Sequence, residues 1–181
     1  MINELIDRRW STRAFSESLL TQQDVEKLLL AASKAPSAFN EQPWRFIVGL
    51  KGHSDVYDKV LSLLTDNNRL WASKAPLLIM LLAKRTWSHN GEPNPNGVYD
   101  AGQAAAYLTI QATHDNLFVH QMAGFDRQKS VEVLSIDPDF QPMVVIAVGH
   151  KGSEEHLPEG LRKLEQSRSP RKKLEELIVR K

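Results

Sequence analysis

Three groups of cationic side chains are the first feature of this sequence with an evident chemical use. They comprise Arg8, Arg9 and Arg13 near the start, Arg69 in the middle, and Arg168, Arg171, Lys172 and Lys173 near the end. A planar guanidinium group suits a phosphate, and two or three arginines can hold a dianion tightly. Ser11 adds a hydroxyl donor beside Arg9. The groups indicate a phosphate site, and a solvated basic surface is the alternative for any one of them.

The segment at 34–45, KAPSAFNEQPWR, contains more polar and aromatic side chains than a connection requires. It follows a helical pattern and precedes an apolar, strand-like pattern. A helix-to-strand turn needs one Gly or Pro and a few polar residues. The additional hydroxyl, amide and aromatic groups could bind a ligand. The alternative is a rigid loop in which Trp44 packs into the core.

The chain offers no self-sufficient acid, base or nucleophile. It has no cysteine, which excludes disulfides, thiolate metal sites and a cysteine nucleophile. Its six histidines are scattered, without the spacing of a metal site. It contains no Gly-x-Ser-x-Gly elbow, dinucleotide fingerprint or Walker loop. Anion-binding groups, amides and aromatics without a catalytic set indicate that a bound cofactor carries the reaction.

Composition indicates one globular domain spanning residues 1–181. Hydrophobic residues make up 41% and charged residues 25% of the chain. A net charge of +1 provides no field that attracts nucleic acid or an anionic membrane. The apolar run at 75–83 is too short to span a bilayer, and the N-terminus lacks the apolar segment of a signal peptide. We therefore expect a soluble, cytoplasmic protein with no nucleic-acid or membrane partner.

Helical and extended patterns alternate along the chain. The periodicity predicts helices at 2–9, at 21–35, at 56–64, from an Asp100 cap to about residue 115, at 127–135 and at 160–167, and strands at 46–50, 77–83, 117–122 and 143–148. The strands at 77–83 and 143–148 are apolar enough to need cover on both faces. This arrangement favours a three-layer α/β/α sandwich. The polar segment at 89–97, HNGEPNPNG, is expected to be a lid or an exposed excursion.

Six segments, in order, resemble the flavin-dependent nitroreductase family. They are RRWSTRAF (8–15), AASKAPSAFNEQPWRFIV (31–48), NNRLWASKAPLLIML (67–81), YDAGQAAAYLTIQA (99–112), HQMAGFD (120–126) and RSPRKKLEEL (168–177). The second of these is the most specific. The resemblance implies an α+β fold with a central mixed, mainly antiparallel sheet. It also implies a homodimer with a C-terminal arm and with FMN in a cleft between the subunits.

The resemblance also implies a role for individual residues. Arg9 and Ser11 match positions that hold the FMN phosphate, with Arg8 and Trp10 as neighbours, and either Arg168 or Arg171 matches a second phosphate arginine. Arg13 and Asn67 match groups at the flavin pyrimidine edge. Ala123 and Gly124 match the backbone that faces flavin N5 and O4. Pro36, Ser37 and Asn40 match residues that reach the ribityl chain and ring from across the dimer, and Gln42 matches a position near them.

The chain departs from the family pattern at several positions. Trp10 stands where Arg or His is frequent, Leu70 stands where some members have a lysine near the flavin, and Asn116 replaces a glycine at the end of the central helix. The excursion that covers the active site in longer members is reduced to the loop at 86–98. Substrate preference therefore cannot be inherited from the resemblance.

Three functions remain open from the sequence. The first is an enzyme in which NADH or NADPH reduces FMN, and a nitroaromatic, quinone or related small acceptor then takes the electrons in a ping-pong cycle. In that reading flavin N5 handles hydride and no side chain must act as acid or base. The second is an FMN-binding or sensing module with little turnover. The third is nucleic-acid or partner binding through RSPRKK, which the adjacent acidic residues and the net charge disfavour.

Overall fold

The computed structural model describes residues 1–179, in which helices cover both faces of a four-stranded sheet. The elements are α1 (Glu4–Arg8), α2 (Gln22–Ala32), a 3-10 turn (Ala38–Asn40), β1 (Trp44–Leu50), α3 (Val56–Leu63), α4 (Asp66–Ala72), β2 (Leu77–Lys84), α5 (Gly97–His114), β3 (Phe118–Met122), α6 (Arg127–Val133), β4 (Phe140–Gly149), α7 (Glu159–Gln166) and α8 (Leu174–Leu177). None of the helices within 1–179 is long and apolar enough to cross a membrane.

The sheet has the strand order β1-β2-β4-β3, and its three pairings are antiparallel. It is therefore antiparallel throughout residues 1–179, which contain no parallel pairing of the kind that a mixed sheet would include. The two central strands, β2 and β4, are those with the longest apolar runs. β4 begins at Phe140, three residues earlier than predicted, and its first residues pair with the end of β2. Pro142 can be part of this pairing because it lies opposite Leu82, where the register of the two strands shifts. Such an irregularity tolerates a residue that lacks a backbone N–H group.

Two separate hydrophobic cores confirm the predicted three layers. Alternate residues of β2 point to opposite faces of the sheet, so Ile79 packs with α2 and α5 while Met80 packs with α3 and α4. Both of these side chains are fully buried. The strand is covered on both faces, which explains its continuous run of apolar residues.

The helix ends show which local signals are reliable. Thr21 and Asp24 form the predicted capping box, in which the Thr21 hydroxyl accepts the Asp24 N–H at 3.2 Å. Asp126 caps α6 by accepting the Lys129 N–H at 2.9 Å. The prediction that Asp100 caps α5 is wrong, because the helix begins at Gly97. Gly97 lies directly against the end of β2, where an added Cβ would come within 2.4 Å of the Lys84 carbonyl oxygen.

Asp100 is instead a buried link between α5 and the loop at 34–45. Its side chain is 2% exposed, and Oδ2 accepts the Ala38 N–H at 3.0 Å. We expect Asp100→Ala to lower the free energy of unfolding by about 1–3 kcal/mol, because it leaves the partly buried Ala38 N–H without this partner. Urea denaturation would measure the change, with the exposed Asp58→Ala on α3 as control. Equal stability of the two variants would contradict this role.

Candidate functional site

The first part of the site is a group of cations around the segment at 8–13. Arg9 is half-buried, and its Nη1 donates to the Ser11 hydroxyl at 3.0 Å. Burial lowers the pKa of Arg9, and the nearby guanidinium groups of Arg171 and Arg168 lower it further. Three positively charged guanidinium groups therefore lie near one another, and that of Arg9 is partly removed from solvent. A bound anion would relieve their repulsion.

Arg168 returns to the N-terminal segment and closes this part of the site. Its guanidinium carbon lies 5.1 Å from the centre of the Trp10 ring, and Nη1 donates to the Asp7 carbonyl oxygen at 3.2 Å. Two adjoining cavities, of about 400 and 310 Å³, are both lined by Arg9, Trp10 and Arg168. Arg171 borders only the smaller cavity. Both arginines that the sequence left open therefore lie near Arg9, and Arg168 borders both cavities.

Arg8 faces the C-terminal end of α5. It donates to the Thr113 carbonyl oxygen at 2.7 Å and to the Asn116 side-chain oxygen at 3.3 Å. The Asn116 N–H also donates to the Thr113 carbonyl oxygen, at 3.2 Å, and a cation at this helix end interacts favourably with the helix dipole. Asn116 has a φ of 58°, the left-handed conformation that favours glycine and that asparagine tolerates. This explains why asparagine can occupy the position where the family resemblance leads us to expect a glycine.

The second part of the site lies along α4. The guanidinium carbon of Arg13 is 6.0 Å from the ring centre of Trp71, a buried residue near the end of that helix. The Gly124 carbonyl oxygen accepts the Thr65 N–H at 3.1 Å and the Asn68 amide at 3.0 Å. Asn68 is therefore the amide held to this backbone, whereas the predicted Asn67 and Ala123 are exposed near it.

The third part is the loop that contains Pro36, Ser37, Asn40 and Gln42. The Ser37 hydroxyl accepts the Gln42 N–H at 3.0 Å, and the Gln42 amide donates to the Asn40 carbonyl oxygen at 3.2 Å. Phe39, Asn40 and Gln42 all have φ near +50°. Left-handed backbone at three non-glycine residues is costly and is concentrated at functional sites. Pro36, the first of these residues, is exposed.

Within one chain, the third part lies far from the first. The loop is held at Asp100, near the start of α5, whereas Arg8 is held at Thr113, near its end. These two positions are about 20 Å apart along the helix, since each residue rises about 1.5 Å. One chain therefore brings the first and second parts onto the same N-terminal segment and leaves the third at the opposite end of α5.

Sequence reasoning missed several residues that shape these parts. Glu165 is 4% exposed, and its carboxylate accepts hydrogen bonds from Trp10, Thr12 and Arg13. Its place in a helix was predictable, but its partners lie more than 150 positions earlier in the chain.

Two further side chains lie at the other parts of the site. His120, in the HQMAGFD segment, has its Nδ1 2.9 Å from the Thr12 carbonyl oxygen, and burial lowers its pKa. Phe39, which is 90% exposed, packs edge-on against Trp87 of the 86–98 loop at 5.8 Å between ring centres. Residues 1–179 contain no group of His, Asp and Glu side chains that could hold a metal ion.

Comparison with known proteins agrees with this architecture. The sequence model of the nitroreductase family matches residues 6–150. A crystal structure of an oxidoreductase containing FMN superimposes with a TM-score of 0.93 at 32% identity, covering 99% of this chain and 91% of that one. An uncharacterised 15.4 kDa protein of Mycolicibacterium smegmatis is 32% identical over 139 residues, 72% of this chain and 89% of its own. A Streptococcus pyogenes protein assigned by name to the NAD(P)H nitroreductases is 26% identical over 176 residues, 81% of this chain and 88% of its own. The chain belongs to the nitroreductase family.

Proposed function

We propose that this protein is an FMN-dependent oxidoreductase that takes electrons from NADH or NADPH and passes them to a small acceptor, such as a nitroaromatic or a quinone. The observation that carries the proposal is the group of Arg9, Arg168 and Arg171, with Arg13 four residues after Arg9 on the same N-terminal segment. FMN needs such a pair of environments, one for a phosphate dianion and one for a flat ring that becomes negatively charged. The FMN-containing oxidoreductase that is 32% identical supports the choice of cofactor.

The residues present fit the phosphate of FMN. Arg9 and Arg168 border the same cavity, and the Ser11 hydroxyl lies within hydrogen-bond distance of Arg9. Burial lowers the pKa of Arg9, and the positive charges of Arg171 and Arg168 lower it further. A phosphate dianion would compensate these charges and accept several charge-assisted hydrogen bonds. Arg171 would contribute at longer range from the second cavity.

The second part of the site fits the flavin ring. When bound, FMN supplies hydride transfer at its N5 atom. Arg13 would place a positive charge at the pyrimidine edge, which favours the extra negative charge of the reduced ring. The backbone at Ala123 and Gly124 would face N5 and O4, with Asn67 at the pyrimidine edge. Gly124 itself packs closely against the start of α4, because an added Cβ would come within 2.7 Å of the Asn68 amide.

A homodimer would complete the site. The exposed face of α5 carries Tyr99, Gly102, Ala106 and Tyr107, while the opposite face packs into the core. Two copies of α5 related by a two-fold axis perpendicular to the helix would run in opposite directions across each other. The start of one helix would then lie near the end of the other. The loop at 36–42 of one subunit, with Pro36, Ser37, Asn40 and Gln42, would thereby reach the cations of its partner.

The proposed reaction requires no catalytic side chain from the protein. The protein would bind FMN, orient it and leave one ring face open for the nucleotide and then for the acceptor. Such alternation predicts ping-pong kinetics. A second candidate is an FMN-binding or sensing module with little turnover. It is favoured by Leu70 on α4, an apolar residue that is 59% exposed. A cation at that position would promote reduction of the flavin, and Leu70 supplies none.

Steady-state NAD(P)H oxidation separates the two candidates. We expect turnover on the order of 1–10³ s⁻¹ with a nitroaromatic or a quinone, and parallel double-reciprocal lines at several acceptor concentrations. Free FMN at the same concentration is the control. A protein that holds FMN but oxidises NADH and NADPH no faster than free FMN would be a binding module.

A further inference from the structure

A buried carboxylate on α7 organises the segment that carries the proposed phosphate and ring contacts. Glu165 Oε1 accepts the Trp10 indole N–H at 3.1 Å and the Thr12 hydroxyl at 2.5 Å. Oε2 accepts the Arg13 backbone N–H at 2.8 Å. Three donors from the segment at 10–13 thus converge on one carboxylate that is 4% exposed.

Packing alone does not account for a carboxylate at this position. Burying a charge is costly unless hydrogen bonds and nearby opposite charges compensate for it. An apolar side chain of similar size would fill the same space without that cost. The directed donors therefore indicate that Glu165 is needed to set the conformation of the segment.

The hydrogen bonds around Glu165 fix the backbone from several directions. The Thr12 hydroxyl, which donates to Glu165, also accepts the Ala14 N–H at 3.0 Å. On the other side of the segment, His120 Nδ1 lies 2.9 Å from the Thr12 carbonyl oxygen. Arg168, three residues after Glu165 and beyond the end of α7, has its guanidinium group over the Trp10 ring. Glu165 and Arg168 together hold the segment against α7 and the residues that follow it.

We propose that Glu165 is a positioning residue for the flavin site. It holds the segment at 10–13 so that Arg9 and Ser11 face the phosphate while Arg13 faces the ring edge. It thereby sets both the affinity for FMN and the reduction potential of the bound flavin. This inference rests on the proposed function.

The test compares Glu165→Gln and Glu165→Ala with Glu159→Gln. Glu159 is exposed on the same helix and pairs with Lys163 at 2.8 Å, so its variant removes the same charge outside the site. FMN affinity is measured by fluorescence titration, and the potential of bound FMN by equilibration with a reference dye. We expect both Glu165 variants to bind FMN roughly tenfold more weakly or worse. The FMN bound to these variants should have a more negative reduction potential than the FMN bound to the unmodified protein.

The direction of the potential shift distinguishes positioning from simple charge. Removing a negative charge near the flavin would by itself raise the potential, whereas a displaced Arg13 would lower it. A raised potential would overturn the proposal. So would a lower melting temperature with unchanged FMN affinity and potential, because Glu165 would then only stabilise the fold. An unmodified protein that binds no FMN would overturn both this inference and the proposed function.

Two further variants keep the test open if Glu165→Ala and Glu165→Gln do not fold. Trp10→Phe and Thr12→Val each remove one donor and retain most of the side-chain volume. We expect smaller shifts in the same directions, with weaker FMN binding and a more negative potential. Unchanged values in both variants would overturn the proposal.

Discussion

Replacing Ala106 by arginine is expected to yield a folded monomer that no longer retains FMN. Ala106 lies on the exposed face of α5 beside Tyr107, one turn after Gly102. In the proposed two-fold dimer, these small residues allow the two helices to approach closely. An arginine there would insert bulk and place two like charges near the axis, which costs several kcal/mol. The monomer would lose the loop at 36–42 that the partner supplies.

Analytical ultracentrifugation and FMN titration measure the two parts of this expectation. Val131→Arg, on the exposed surface of α6, introduces the same charge away from the proposed interface. The control should remain dimeric and keep its flavin. Circular dichroism checks that both variants are folded. A monomeric Ala106→Arg protein with undiminished FMN affinity would show that one subunit holds the cofactor alone.

Arg9→Ala is expected to weaken FMN binding by about 1.5–3 kcal/mol, because it removes a charge-assisted hydrogen bond to the phosphate. That range corresponds to a dissociation constant raised roughly 10- to 150-fold. The same change should not lower the stability of the protein without FMN. Burial and the charges of Arg168 and Arg171 already disfavour the protonated Arg9 guanidinium, as its lowered pKa indicates. Arg9→Ala should therefore lower the affinity for FMN without lowering the stability of the protein in the absence of FMN.

Lys59→Ala is the matched control, since it removes one exposed positive charge on α3, where Lys59 pairs with Asp55 at 2.8 Å. Isothermal titration with FMN gives the affinities, and thermal unfolding without FMN gives the stabilities. Equal FMN affinity in Arg9→Ala and Lys59→Ala would remove Arg9 from the phosphate site. A large loss of unliganded stability in Arg9→Ala would indicate a structural role instead.

The parts of the fold that follow from local signals could be predicted from the sequence. Thr21 and Asp126 cap their helices because each partner lies three residues further on. The apolar β2 strand indicated a sheet covered on both faces. The prediction that Asp100 caps α5 failed because the partner of Asp100, the Ala38 N–H, is brought to it only by the packing of the loop against α5.

The candidate site was predictable in its residue types but not in its internal contacts. The cation groups at 8–13 and 168–171 are visible in the sequence, yet only the folded chain places Arg168 on Trp10. Spacing alone does not rank Arg168 above Arg171. Glu165 was missed because a glutamate in a polar helix normally lies in solvent. Nor does sequence indicate the positive φ at Phe39, an aromatic residue that rarely adopts it.

The central claim is that this chain binds FMN and reduces it with a nicotinamide nucleotide. The most direct measurement is the visible absorption spectrum of the purified protein, supplied with FMN if necessary, before and after adding NADH or NADPH without oxygen. We predict flavin absorption bands that bleach with at least one nucleotide, and the faster of the two identifies the preferred donor. Bands that persist with both nucleotides would contradict the enzymatic function. A protein that remains colourless after incubation with FMN would contradict the flavin site itself.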